Sequence, residues 1–108
     1  MKPFSFAKWF VKIQFFEEEP VVITLPISDK MDRKLLRYGE AVGEGDKQPD
    51  KRTEIYRQAL EQLIGAETVE KLLARAGDSD SYALLDIGTY VLNCYREQKT
   101  KNLIAGAR

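Results

Sequence analysis

Asp78, Asp80 and Asp86 are the carboxylates whose spacing comes nearest to an acid–base pair, and Cys94 is the one thiol. No histidine accompanies them, so the commonest general base and the commonest transition-metal ligand are both missing. A single cysteine cannot build a thiolate zinc site, and neither GxxxxGK[ST] nor a GxGxxG after a strand is present; Gly43 and Gly45 give only GEG. Asp78 and Asp80 have a simpler use, because the free N–H groups and dipole of a helix N-terminus favour negative side chains by a few tenths to about 1 kcal/mol each. Cys94 as a nucleophile needs a cation beside it. Arg96, its neighbour in sequence, lies about 200° away around a helix, so Cys94 reads as a small buried hydrophobe. The tyrosines Tyr56, Tyr82, Tyr90 and Tyr95 fall at helical spacing, which favours core or core edge over a binding stripe. Glu17, Glu18 and Glu19 are adjacent, whereas oxygen-rich cation loops take ligands from alternate positions, so they read as a solvated turn. The expectation is a protein without catalytic residues, metal or cofactor.

These residues must be positioned by a chain of 108 residues, with 44% hydrophobic and 31% charged. That fits one domain, spanning residues 1–108, able to bury roughly 65% of its unfolded surface. Seventeen basic and seventeen acidic residues cancel, so no global field draws it to a polyanion or an acidic membrane. No window approaches the ~20 apolar residues of a membrane span. Lys8 and Lys12 interrupt the apolar N-terminus before it reaches signal-peptide length. The lone cysteine fits a reducing compartment, and the expected location is the cytoplasm.

A β-hairpin is predicted over 8–26. In KWFVKIQFF, Trp9, Val11, Ile13 and Phe15 alternate onto one face. Val21, Ile23 and Leu25 do so in VVITL, beyond the acidic tip. Phe10 and Phe16 make the second face apolar as well, more than a monomer readily covers. The hairpin residues Trp9, Phe10, Val11, Ile13, Phe15, Phe16 and Val22 are therefore the expected partner or oligomer interface, with edge-strand pairing as one way to form it.

A helix over 28–42, capped by Ser28 or Asp29, carries Met31, Leu35, Tyr38 and Val42 on one stripe. GEGDKQPD, 43–50, reads as a mobile loop. The helical part, 51–99, starts with a helix capped by Asp50 whose inward residues are Ile55, Tyr56, Ala59, Leu60, Leu63 and Ile64. Gly65 stops it. A short helix over 67–76 follows, bearing Val69, Leu72, Leu73 and Ala76, and Gly77 stops that one. Asp78 or Ser79 is expected to cap the last helix, which carries Leu84, Leu85, Ile87, Val91, Leu92 and Tyr95 inward to about Lys99. Residues 100–108 read as a frayed tail. The fold class is α+β, an N-terminal hairpin followed by a bundle of about four helices.

The stretch YRQALEQLIGAETVEKLL has the outline of a DNA-reading helix-turn-helix. Its register is wrong, because Ala59 stands six residues before Gly65 and Val69 four after it. Its second helix also opens with Glu67 and Glu70, which repel phosphates, against Lys71 and Arg75. A structural corner is the better reading. A small DNA-binding regulator and an oligomeric interaction module stand as alternatives.

Taken together, the order hairpin, helix, charged segment and IYRQALEQLIGAETVEKLLARAGDSDSYALLDIGTYVLNCYREQ resembles the small tail assembly chaperones of tailed bacteriophages and prophages of Gram-positive hosts. The resemblance covers roughly residues 9–98 and is best from Tyr56 to Tyr95, where a helix ends in LIG, an ETVEKLL helix follows, and a Gly and Asp break precedes the final helix. It implies a non-enzymatic protein that binds the tape-measure protein, helps the tail-tube protein polymerise around it, and forms homo-oligomers. No catalytic residue carries over.

Overall fold

The computed structural model describes the backbone of residues 9–106 and the side chains of residues 9–103. Lys8, the first residue of the expected hairpin, and residues 107 and 108 of the expected tail lie outside the described residues. The fold is α+β. Strands β1 (Phe10–Phe15) and β2 (Val21–Pro26) form an antiparallel hairpin, followed by helices α1 (Asp29–Asp46), α2 (Arg52–Ile64), α3 (Ala66–Ala76) and α4 (Ser81–Gly106).

Alternation in the strands becomes a two-faced ribbon. Val11 pairs with Leu25, Ile13 with Ile23 and Phe15 with Val21 on the inner face, while Phe10, Lys12 and Gln14 pair with Pro26, Thr24 and Val22 on the outer one. Val11 and Ile13 are fully buried, Phe15 and Leu25 nearly so. Burying each such side chain is worth about 1.5–3 kcal/mol, which fixes the register, since a slip of one residue would expose all of them. Two strands alone are marginal in water. Here the inner face joins one core with Leu35, Tyr38, Leu60, Leu72, Leu84, Val91 and Tyr95. Helix α2 is central to this core and packs on α1, α3 and α4.

Ser28 caps α1, its Oγ accepting from the Met31 amide at 3.1 Å. Met31, Leu35 and Tyr38 are buried as their spacing predicts, and Val42 is half-buried. The segment 43–50 is not a loop. Helix α1 continues through Gly43 and Gly45 to Asp46, and a single 3-10 turn, Pro49–Lys51, leads into α2. Gly45 is buried there, and a Cβ on it would stand 2.6 Å from the Tyr56 ring. The Tyr56 hydroxyl donates to Asp46, so a contact with α2 holds a helix end that composition alone would have dissolved. Asp50 accordingly sits inside the 3-10 turn and does not cap α2, whose N-terminus has no side-chain cap.

Gly65 ends α2 at φ 93°, its N–H returning to the Glu61 carbonyl, and α3 starts at once. Gly77 ends α3 in the left-handed region, φ 69°, with its N–H on the Leu73 carbonyl. Both conformations favour a residue without Cβ. The cap of α4 is Asp80, rather than Asp78 or Ser79. Its Oδ1 accepts from the Ala83 amide at 3.0 Å, while Asp78 Oδ1 accepts from the Asp80 amide. Helix α4 also does not stop near Lys99. It runs to Gly106, because Gln98 and Asn102 in its last turns bind the hairpin.

Among the described residues no helix is long and apolar enough to cross a membrane.

Candidate functional site

The seven hairpin residues expected at an interface divide into two groups. Val11, Ile13 and Phe15 are spent on the chain's own core and are not available to a partner, because the α-helices cover the inner face. Phe10 and Val22 on the outer face, and Trp9 and Phe16 just beyond the ends of β1, are all more than a third exposed. Trp9 was expected to share the inner face. It precedes the strand, and its carbonyl accepts from Ile27 N–H at 2.6 Å, which extends the ladder by one pair without turning the indole inward.

The outer face is a continuous surface because its pairs alternate down the ribbon: Phe10 with Pro26, Lys12 with Thr24, Gln14 with Val22. In antiparallel pairing, residues opposite one another alternate between exchanging both backbone bonds and exchanging none. The bond from Ile27 to Trp9 places the odd-numbered residues of β1 in the bonded pairs. Phe10, Lys12 and Gln14 therefore turn their backbone groups away from β2, and Val22 and Thr24 turn theirs away from β1.

The two edges then meet different surroundings. Along β1, α4 supplies side chains that stand in for a third strand. Gln98 accepts from the Lys12 amide at 2.9 Å and donates to the Lys12 carbonyl at 2.5 Å. The Tyr90 hydroxyl donates to the Gln14 carbonyl at 2.6 Å, and Asn102 Nδ2 donates to the Phe10 carbonyl at 3.3 Å. Four helical residues rise about 6 Å and two strand residues about 6.7 Å, so Gln98 and Asn102 match Lys12 and Phe10 in step. Along β2, the N–H and C=O of Val22 and Thr24 have no partner among the described residues. Pro26 contributes no N–H, which limits the open edge to a short stretch.

The tip is held from the side. Phe16 and Glu19 take positive φ, 69° and 48°, uncommon for residues with a Cβ. Arg75, in the last turn of α3, donates to the carbonyls of Glu18 at 2.8 Å and Glu19 at 2.6 Å, and its guanidinium lies 4.4 Å from the centre of the Phe16 ring. That clamp offsets the strain and sets the outward angle of Phe16. Beside it lies an apolar groove of about 420 Å³ between the hairpin, α3 and α4, lined by Phe15, Phe16, Leu72 and Ile87 with Asp86 at its polar part. Nothing in the spacing of Arg75 announced the clamp, since its partners lie far off in sequence.

The candidate acid–base residues are not gathered. Asp80 caps α4, Asp78 accepts from the Asp80 amide, and Asp86 lies on the groove. Among the described residues no group of three or more His, Cys, Asp or Glu could hold a metal ion. Cys94 is half-buried. Tyr56 and Tyr95 are core residues, while Tyr82 and Tyr90 are exposed. Burial pushes the Tyr95 phenol up to about 12, helped by its hydrogen bond to Asp32 at 2.8 Å. Burial does the same at Tyr38, also to about 12. The hydrogen bonds from Lys99 and Tyr95 hold the Asp32 carboxyl below its ordinary value. In the corner with the helix-turn-helix outline, Ala59 and Val69 are buried on either side of Gly65, and Glu67 and Glu70 face solvent.

Comparison with family models, with curated proteins and with solved structures finds no match to this chain.

Proposed function

We propose that this protein is a non-enzymatic assembly chaperone acting in the bacterial cytoplasm, and that it holds an apolar segment of a protein partner on the outer side of its hairpin. The partner in this reading is the tape-measure or tail-tube protein of a tailed phage or prophage, as the resemblance of residues 9–98 implies. The observation that carries it is the presence of two exposed apolar residues on the outer face, Phe10 and Val22, together with an open β2 edge at Val22 and Thr24. An extended segment added to such an edge gains backbone hydrogen bonds from any sequence, and apolar contacts on the adjoining face add preference. That combination suits a chaperone, which must take up a long chain without reading it closely.

The test is co-expression with the tape-measure protein encoded beside the gene. The wild-type chain should keep that protein soluble and co-purify with it, and a Phe10→Ser/Val22→Ser variant with an unchanged circular dichroism spectrum should not. A wild-type chain that leaves the tape-measure protein insoluble would remove the chaperone reading.

A further inference from the structure

A second exposed apolar site lies away from the hairpin residues, between two helices. Helices α1 and α4 leave between them a groove of about 480 Å³, whose floor and lips include Leu36, Gly39, Leu92 and Tyr95. Leu36 is 64% exposed, although it stands one residue from the buried Leu35. Gly39 is a glycine in the middle of a helix, where it costs stability. Gly88 and Gly45 have an evident reason to be glycine, since a Cβ on either would collide with Tyr38 or Tyr56. A Cβ on Gly39 would meet nothing within 4 Å, as at Gly43, so the packing of the chain itself asks for glycine at neither, and of the two only Gly39 lines the groove.

The charges on the lips say what fits. Asp32 on α1 is bonded to Lys99 and Tyr95 on α4, and Tyr38 reaches Gly88, so the two helices run antiparallel with Leu36 opposite Leu92. Glu40 lies one turn, about 6 Å, beyond Leu36 in one direction, and Arg96 one turn beyond Leu92 in the other. Both line the groove, both are exposed, and neither has an ion-pair partner among the described residues. An acid at one end of one lip and a base at the opposite end of the other is a self-complementary pattern. A two-fold axis through the centre of the groove carries Glu40 onto Arg96 and Leu36 onto Leu92.

We propose that the occupant of the α1–α4 groove is a second copy of this chain, docked about that two-fold with Leu36 of each copy on Leu92 of the other and Glu40 paired with Arg96 twice. Gly39 removes bulk where the other copy approaches. The interface is separate from the hairpin, so an assembled dimer presents two outer faces and two open β2 edges to a partner.

Sedimentation velocity of the full chain over a micromolar concentration series tests it. The wild type should dimerise. Because each substitution alters both ion pairs, Glu40→Arg alone and Arg96→Glu alone should each raise the dissociation constant about tenfold or more. An equimolar mixture of the two variants should restore association, since every cross pair in the heterodimer is again opposite in charge. Leu36→Ser should weaken association with no fall in the unfolding temperature of the monomer, and Phe10→Ser should leave association unchanged. A wild type that stays monomeric would overturn the proposal and give the groove to another protein. Single variants that associate like the wild type, or a mixture no better than its components, would overturn it equally. Loss of chaperone activity with an intact dimer, or the reverse, tells failure at the hairpin from failure at the groove.

Discussion

The hairpin has two edges of similar length and two faces, one wholly apolar and one mixed, and in each case one is closed and the other is open. On the closed side, Gln98, Tyr90 and Asn102 occupy the β1 edge and the helices bury Val11 and Ile13. On the open side, Val22 and Thr24 offer an unpaired edge, and Phe10 stands exposed on the same outer face, opposite Pro26. Proteins commonly blunt exposed edges with charge, proline or a covering element. This one covers β1 with a whole helix and leaves β2 only Pro26 at its far end. The same division recurs among the helix glycines, where Gly88 is filled by Tyr38 and Gly39 by nothing in the chain. Where a residue's cost is met by a neighbour, the residue serves the fold. Where it is not, the residue points outward.

The sharpest way to break this division is to cut into the closed face. Ile13→Ala should cost about 2–5 kcal/mol in urea unfolding, because it leaves a cavity in a site with no exposure. A cost near zero would mean the inner face is not core. Alkaline unfolding probes the same closed side. Tyr38 and Tyr95 hold their protons more tightly when folded, at about 12, than at the ordinary phenol value of 10. Stability should therefore be fully present below pH 10 and fall between pH 10 and 12 by up to about 1.4 kcal/mol per pH unit for each tyrosine. Tyr38→Phe and Tyr95→Phe should each flatten that fall.

Smaller effects sharpen the contrast. Gly88→Ala should cost about 1–3 kcal/mol by forcing Tyr38 aside, whereas Gly39→Ala should raise monomer stability by about 0.5–1 kcal/mol through helix propensity. Equal effects at the two positions would erase the distinction. Gln98→Ala should cost about 1 kcal/mol and increase non-specific association by uncovering the β1 edge at Lys12. Phe10→Ser should change stability by less than about 0.5 kcal/mol, as expected for an exposed residue.

Much of the fold could be read from pattern because pattern records what is buried. The period of two in Val11, Ile13 and Phe15, the helical spacing of Met31, Leu35 and Tyr38, and the stops at Gly65 and Gly77 are local consequences of burial and backbone geometry. What escaped the sequence depends on contacts between distant segments. The helix through Gly43–Asp46 is held by Tyr56, the last turns of α4 by the β1 edge, and the tip by Arg75. The outer apolar residues Phe10 and Phe16 were legible from alternation. Which edge stays open was not, because that depends on the side of the hairpin along which α4 lies.

Residue-resolved amide hydrogen exchange, with and without the partner segment bound, reads the open β2 edge itself. The Val22 and Thr24 amides, fast in the free protein, should become protected on binding, while the Lys12 amide, already bonded to Gln98, should change little. Protection confined to other regions, with Val22 and Thr24 still exchanging freely in the complex, would contradict binding at that edge.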